Sequence, residues 1–188
     1  MTSDGRRLRS EASREAIVQA MLDLVTEGEV EPSAEQVANR AGVGLRTVFR
    51  HFENMESLYQ QLNELMREYA RPVVMRPFTA ASWKGKIEEI IDRRVSIFER
   101  ILPLRIAADA HRRRSPYLAA QSELFVREQR AVLEAILPAG EPFLLETLDL
   151  LLSVDTWRRL RRDQKLSRPR ARAVLERLVH DALAAAKD

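Results

Sequence analysis

Three features of the 188-residue sequence predict an all-α fold. Six Gly and eight Pro are too few for a loop-rich β protein, while Ala, Leu, Glu and Arg are abundant and favour helices. Apolar residues recur at the three- and four-residue spacing of a helix face, and no useful length alternates with the period of two that marks a half-buried strand. Clusters of Gly, Pro and Ser interrupt the periodic stretches and divide the chain into about nine helices, four short and then five longer.

The first helix is expected over residues 10–26, with Ile17, Ala20, Met21, Leu24 and Val25 on one face. Gly28 ends it. Ser33 with Gln36 three residues on is a capping box, in which each side chain satisfies the other's backbone donor, and it opens a short helix over 33–41. Gly42 stops that helix, since glycine adopts the left-handed backbone of a tight turn without strain. A third helix follows over 44–52, with Val48 and Phe52 one turn apart. Glu53-Asn54 breaks the pattern, and a fourth runs over 55–70 with Leu58, Leu62 and Leu65 inward.

Beyond Pro72 and Pro77, which bracket a loop, longer helices are expected over 82–101, 104–113, 116–137, 141–162 and 168–186. Pro103, Ser115-Pro116, Pro138-Ala139-Gly140 and Ser167-Arg168-Pro169 separate them, with prolines near helix starts, where a missing N–H costs little. The domain boundary is placed after residue 54, giving 1–54 and 55–188.

The composition narrows the function classes. The sequence has no Cys, so disulfides, thiolate metal sites and cysteine nucleophiles are excluded. His51, His111 and His180 are scattered, no HExxH is present, and Asp155 beside Trp157 is a lone carboxylate. No catalytic or metal-ligating set emerges, and neither an enzyme nor a cofactor is expected. The first sixteen residues carry cations without a following apolar region, and the longest apolar runs are too short and too charged to span a bilayer. A cytoplasmic protein with no membrane association is the expectation. Although the net charge is +3, residues 1–71 carry nine Arg and no Lys against twelve Asp and Glu, a balance of −3. Any argument for an anionic partner must therefore rest on individual cations, not on net charge.

Such cations occur in RAGVGLRTVFRHFENMESLY, which begins at Arg40. Two short helices joined by a Gly-containing turn, the second rich in Arg and Thr, have the form of a helix-turn-helix. Ala38 is small enough to let the two helices cross closely, and Val37, Val43 and Val48 are suited to the junction. The outer face of the second helix is then free to enter a DNA major groove. Gly44, Leu45, Arg46, Thr47, Phe49, Arg50 and His51 form the candidate DNA-binding set. Arg46 suits base readout, because guanidinium can donate two hydrogen bonds to guanine O6 and N7. Thr47, Arg50 and His51 suit phosphate oxygens, which position without reading sequence. Arg6, Arg7, Arg9 and Arg14 read either as a basic arm that reaches DNA or as a solvated tail.

This stretch resembles the DNA-binding domain of the TetR family of transcriptional repressors, whose pattern looks like AxxAGVSxxTxYxHFxxKexL. Ala38, Ala41, Gly42, Val43, Thr47, Phe49, His51, Phe52 and Leu58 stand at matching spacing, and the likeness spans about residues 11–60. Three positions depart from it: Phe49 replaces the usual Tyr, Met55 the usual Lys and Gly44 the usual Ser. The first two remove phosphate-binding groups, for which Arg46 and Arg50 can compensate.

The resemblance implies that the longer helices form an effector-binding and dimerisation domain, and that the partners are a palindromic double-stranded operator, a small-molecule effector and a second copy of the chain. Met66, Trp83, Phe98, His111, Tyr117, Gln121, Phe125 and Trp157 are candidate pocket residues, although aromatics at helical spacing usually belong to a core. The last two long helices have apolar stripes wider than one intramolecular contact needs. Leu144, Leu148, Leu151, Leu152, Val174, Leu175, Leu178 and Ala182 are the interface candidates. The expected function is a homodimeric repressor released by a small ligand; the alternative is a helical ligand-binding or scaffolding dimer that has lost specific DNA recognition.

Overall fold

The computed structural model describes residues 3–186, with backbone alone for Ser3, Asp4 and Pro142. Every regular element among them is helical: α1 (Ser3–Glu27), α2 (Ala34–Ala41), α3 (Leu45–His51), α4 (Met55–Val74), α5 (Trp83–His111), α6 (Pro116–Glu134), α7 (Pro142–Leu151), α8 (Val154–Arg158) and α9 (Arg168–Ala185). A 3₁₀ turn at Arg112–Arg114 precedes α6, and a π-helical turn at Arg159–Asp163 follows α8. The chain forms two compact units, Met1–Tyr69 with Pro103–Ala120, and Ala70–Leu102 with Gln121–Asp188. The first unit thus includes most of α4 and a second stretch around residues 103–120.

The expected helix count is met among the described residues because two departures offset each other. Residues 82–101 and 104–113 are one helix, α5, with Pro103 inside it. Proline removes one N–H and crowds the carbonyl four residues back, a real but local cost. Phe98, Ile101 and Leu102 before it and Leu104 and Ala107 after it are all buried, and burial at about 1.5–3 kcal/mol per large apolar side chain outweighs one missing hydrogen bond. Conversely, the span 141–162 is broken at Leu152-Ser153. Ser153 is extended at ψ 156° and its hydroxyl accepts the Thr156 N–H at 3.1 Å, so it caps α8.

That break leaves the Leu152 carbonyl without the Thr156 N–H that a continuous helix would supply. Arg94 fills the gap. Its Nη1 donates to Leu152 O at 2.8 Å and its Nη2 to Gln129 O at 2.5 Å, while the residue is only 5% exposed. Burial pushes this guanidinium down to about 10, opposed by the charge of Asp149, so it remains cationic at neutral pH.

The first unit has one continuous core. Ile17, Met21, Leu24 and Val25 of α1 pack with Val37 and Ala38 of α2, Val48 and Phe52 at α3, Leu58, Tyr59 and Leu62 of α4, and Leu104, Ala107 and Leu118. Leu65 departs from expectation: it is 38% exposed. The basic N-terminal residues also depart, since α1 extends back to Ser3 and makes Arg6, Arg7 and Arg9 helical rather than a free arm.

In the second unit α7 packs against α9, and α8 continues into the π turn. Trp157, buried in α8, donates its indole N–H to Glu99 Oε2 at 3.1 Å. Arg161 grips the same carboxylate through Nε at 3.0 Å and Nη2 at 2.6 Å, and also bonds the Leu166 carbonyl. The Arg161 hydrogen bond, more than the one from Trp157, holds Glu99 below the usual carboxylate range.

Candidate nucleic-acid interface

The turn between α2 and α3 is built as the capping signals require. Ser33 N donates to Gln36 Oε1 at 2.7 Å and Gln36 N to Ser33 Oγ at 3.2 Å, closing the capping box at the start of α2. Losing such a cap typically costs about 1 kcal/mol. At the other end Gly42 has φ 66° and ψ 30°, and Val43 N donates to Ala38 O at 3.0 Å. A side chain at Gly42 would meet no neighbour, so the positive φ is what calls for glycine there. Gly44 is extended and caps α3 through its carbonyl, which accepts the Thr47 N–H at 2.8 Å.

Ala38 is 3% exposed, Val37 0% and Val48 1%, which is the close helix junction expected from the sequence. Burying Val48 and Phe52 fixes the roll of α3. Leu45, Arg46, Phe49 and Arg50 consequently share its outer face, with Leu45 38% and Phe49 48% exposed. No hydrogen bond or ion pair engages Arg46 or Arg50 among the described residues. Arg40 differs: it forms a two-pronged pair with Glu27 at 2.8 and 2.7 Å and ties α2 to the end of α1.

Two other groups lie differently from expectation. Thr47 and His51 sit at the margin of the outer face, half-buried, and the Nε2 of His51 is buried with no hydrogen-bond partner. Burial foremost, then the charges of Arg50 and Arg14, hold its imidazole below the usual range, which favours the neutral ring. Arg14 is not part of a basic arm. Its guanidinium lies 5.0 Å from the Phe52 ring and donates to Gln61 Oε1 at 2.5 Å, bracing the end of α3.

The remaining candidates separate by unit. Met66 and Tyr117 pack on the core of the first unit, and His111 lies 4.4 Å from the Tyr59 ring there. Trp83, Phe98, Gln121, Phe125 and Trp157 fall in the second unit. The Phe98 and Phe125 rings are 6.4 Å apart, and Phe98 and Trp157 are fully buried. Of the interface candidates, Leu144, Leu148, Leu152 and Leu175 are buried within the chain itself, whereas Leu178 is 42% exposed and Leu151, Val174 and Ala182 are half-buried. The largest exposed apolar groups on α7 are Phe143 at 86% and Leu150 at 68%. Their spacing of seven places both on one outer stripe, a helical-wheel signal present in the sequence.

No protein-family profile matches the chain, and no curated protein matches it either. Solved structures do. A candidate transcriptional regulator of Streptomyces coelicolor A3(2) superimposes with a TM-score of 0.61 at 24% identity, covering 89% of this chain and 98% of that one. A candidate TetR-family transcriptional regulator of Mesorhizobium loti gives 0.59 at 18% identity, covering 94% and 97%. The all-helical fold of these regulators therefore extends over about nine-tenths of the chain, well past the stretch that carries the sequence resemblance. Among the described residues no helix is long and apolar enough to cross a membrane.

Proposed function

We propose that this chain is a sequence-specific, DNA-binding transcriptional regulator that acts as a homodimeric repressor, with α3 as its reading helix. The outer face of α3 carries the proposal: Arg46 and Arg50 stand exposed with no protein partner among the described residues, on a helix whose inner face is anchored by Val48 and Phe52. Two copies related by a two-fold axis present two such faces, matching half-sites about one helical turn, ~34–36 Å, apart or a multiple of that. The test is fluorescence anisotropy with duplexes selected by the protein from a random library, over a salt series. Selection of a palindrome, with affinity falling steeply as salt rises, is the expected result. Failure to enrich any sequence would favour the alternative of a ligand-binding or scaffolding dimer, a reading for which Met55, packed on the core in place of a cation, speaks.

The dimer interface is best supported on the outer stripe of α7 with the exposed part of α9. Phe143, Leu150 and Leu178 are available there, together with the less buried Leu151, Val174 and Ala182. The double variant F143E/L150E should sediment as a folded monomer where the wild type sediments as a dimer, because neither side chain belongs to the chain's own core. A monomeric wild type would end the two-fold scheme. The effector site is proposed within the second unit, among Trp83, Phe98, Gln121, Phe125 and Trp157; Met66 and Tyr117 pack against the core of the first unit, where His111 lies beside the Tyr59 ring. Effector and operator would then weaken each other's binding by the same factor.

A further inference from the structure

The first turn of α4 follows α3 after only Phe52, Glu53 and Asn54, so it borders the proposed reading surface. It is poor in positive charge. No Lys or Arg occurs between His51 and Arg67, while Glu53, Glu56 and Glu64 do. A polyanion lying along α3 would meet unfavourable charge at this edge.

A remote segment of the same unit is fastened at this spot. Ser115 Oγ donates to Glu56 Oε1 at 2.5 Å, and the His111 ring lies 4.4 Å from that of Tyr59. Asn63 Nδ2 further donates to the Tyr117 hydroxyl at 3.4 Å. Ser115 itself is buried and caps α6, accepting the Leu118 N–H at 3.1 Å. The 3₁₀ turn Arg112–Arg114 is therefore held at both ends, by His111 and by Ser115, beside the first two turns of α4. Its three side chains are exposed. Arg112 lies 3.7 Å from Asp109, whereas Arg113 and Arg114 have no carboxylate partner among the described residues.

We infer that this arginine turn is a second phosphate-contacting segment, which supplies at the α4 edge the cations that the first turns of α4 lack. The inference rests on the DNA-binding reading above. Its ligand is the DNA backbone, not base edges: a short turn of flexible arginines offers charge to phosphates without the fixed approach that base readout needs. Ser115 and Glu56 position the turn, and Arg113 and Arg114 bind the phosphates.

The test uses a random-sequence duplex of roughly 30 base pairs, long enough for two half-sites and flanks, because phosphate binding acts on any sequence. Binding isotherms of the full-length protein are measured from low to moderate salt for the wild type, R113A/R114A, R113K/R114K and R159A/R162A. The last removes two exposed charges from the second unit. R113A/R114A should lower the magnitude of the log–log salt slope by about 0.9 for each phosphate no longer neutralised, so by about two per engaged protomer. R113K/R114K should restore the slope, and R159A/R162A should leave it unchanged. An unchanged slope in R113A/R114A, or an equal fall in R159A/R162A, overturns the inference while leaving DNA binding intact. A wild type that binds no duplex overturns the DNA-binding reading itself, and this inference with it.

Discussion

Trp157→Ala should destabilise the protein by about 3–5 kcal/mol, against the ~5–15 kcal/mol typical of a whole folded domain. Trp157 is 1% exposed, so truncation opens a large cavity that surrounding helices close only in part. The substitution also takes one donor from Glu99, although Arg161 continues to hold both carboxylate oxygens. Trp157→Phe separates the two effects. It keeps most of the buried area and removes the N–H, and should cost nearer ~1–2 kcal/mol. Urea unfolding followed by circular dichroism, at one fixed protomer concentration, measures both, since dimerisation would otherwise shift the midpoint. A loss below ~1 kcal/mol for the alanine variant would mean that the indole is not packed as described.

Arg46→Ala and Arg50→Ala should separate reading from positioning. Removing a two-pronged hydrogen bond to guanine costs ~1–3 kcal/mol in each half-site, so about twice that for a symmetric dimer, and discrimination should relax at one base position only. Arg50→Ala should weaken all sequences about equally and lower the salt slope by about one per half-site. Binding of a selected duplex and of its single-base variants, at two salt concentrations, resolves the two patterns. A uniform loss of affinity from Arg46→Ala would exchange the roles of the two residues. His51 is the contrasting case. With its Nε2 enclosed and unpaired, it offers a phosphate less than the sequence suggests.

What is legible in the sequence is local. Ser33 with Gln36, the glycine at 42, and the pairing of Val48 with Phe52 each depend on residues within a turn or two, and their geometry follows from spacing alone. Elements decided by distant partners are not legible. Pro103 reads as a boundary because its cost is local, while the burial that carries α5 through it comes from residues packed from elsewhere in the chain. Ser153 sits inside an apolar run and, unlike Ser33, lacks the Glu or Gln three residues on that completes a capping box, while the carbonyl stranded beside it is satisfied by the distant Arg94. The stripe on α7 is visibly wider than one contact needs, but only the fold divides it: Leu144, Leu148 and Leu152 lie inward, Phe143 and Leu150 outward. His111 shows the same limit, since its neighbour Tyr59 lies far off in sequence.

The guanidinium of Arg94 has one more implication. By occupying the Leu152 carbonyl from 58 residues away, it works as a ruler for α7, marking where that helix must stop. The extent of the outward stripe that begins at Phe143 is thus metered by a side chain that never reaches the surface. Changes in α7 length should be tolerated only where the stop and the cation move in step.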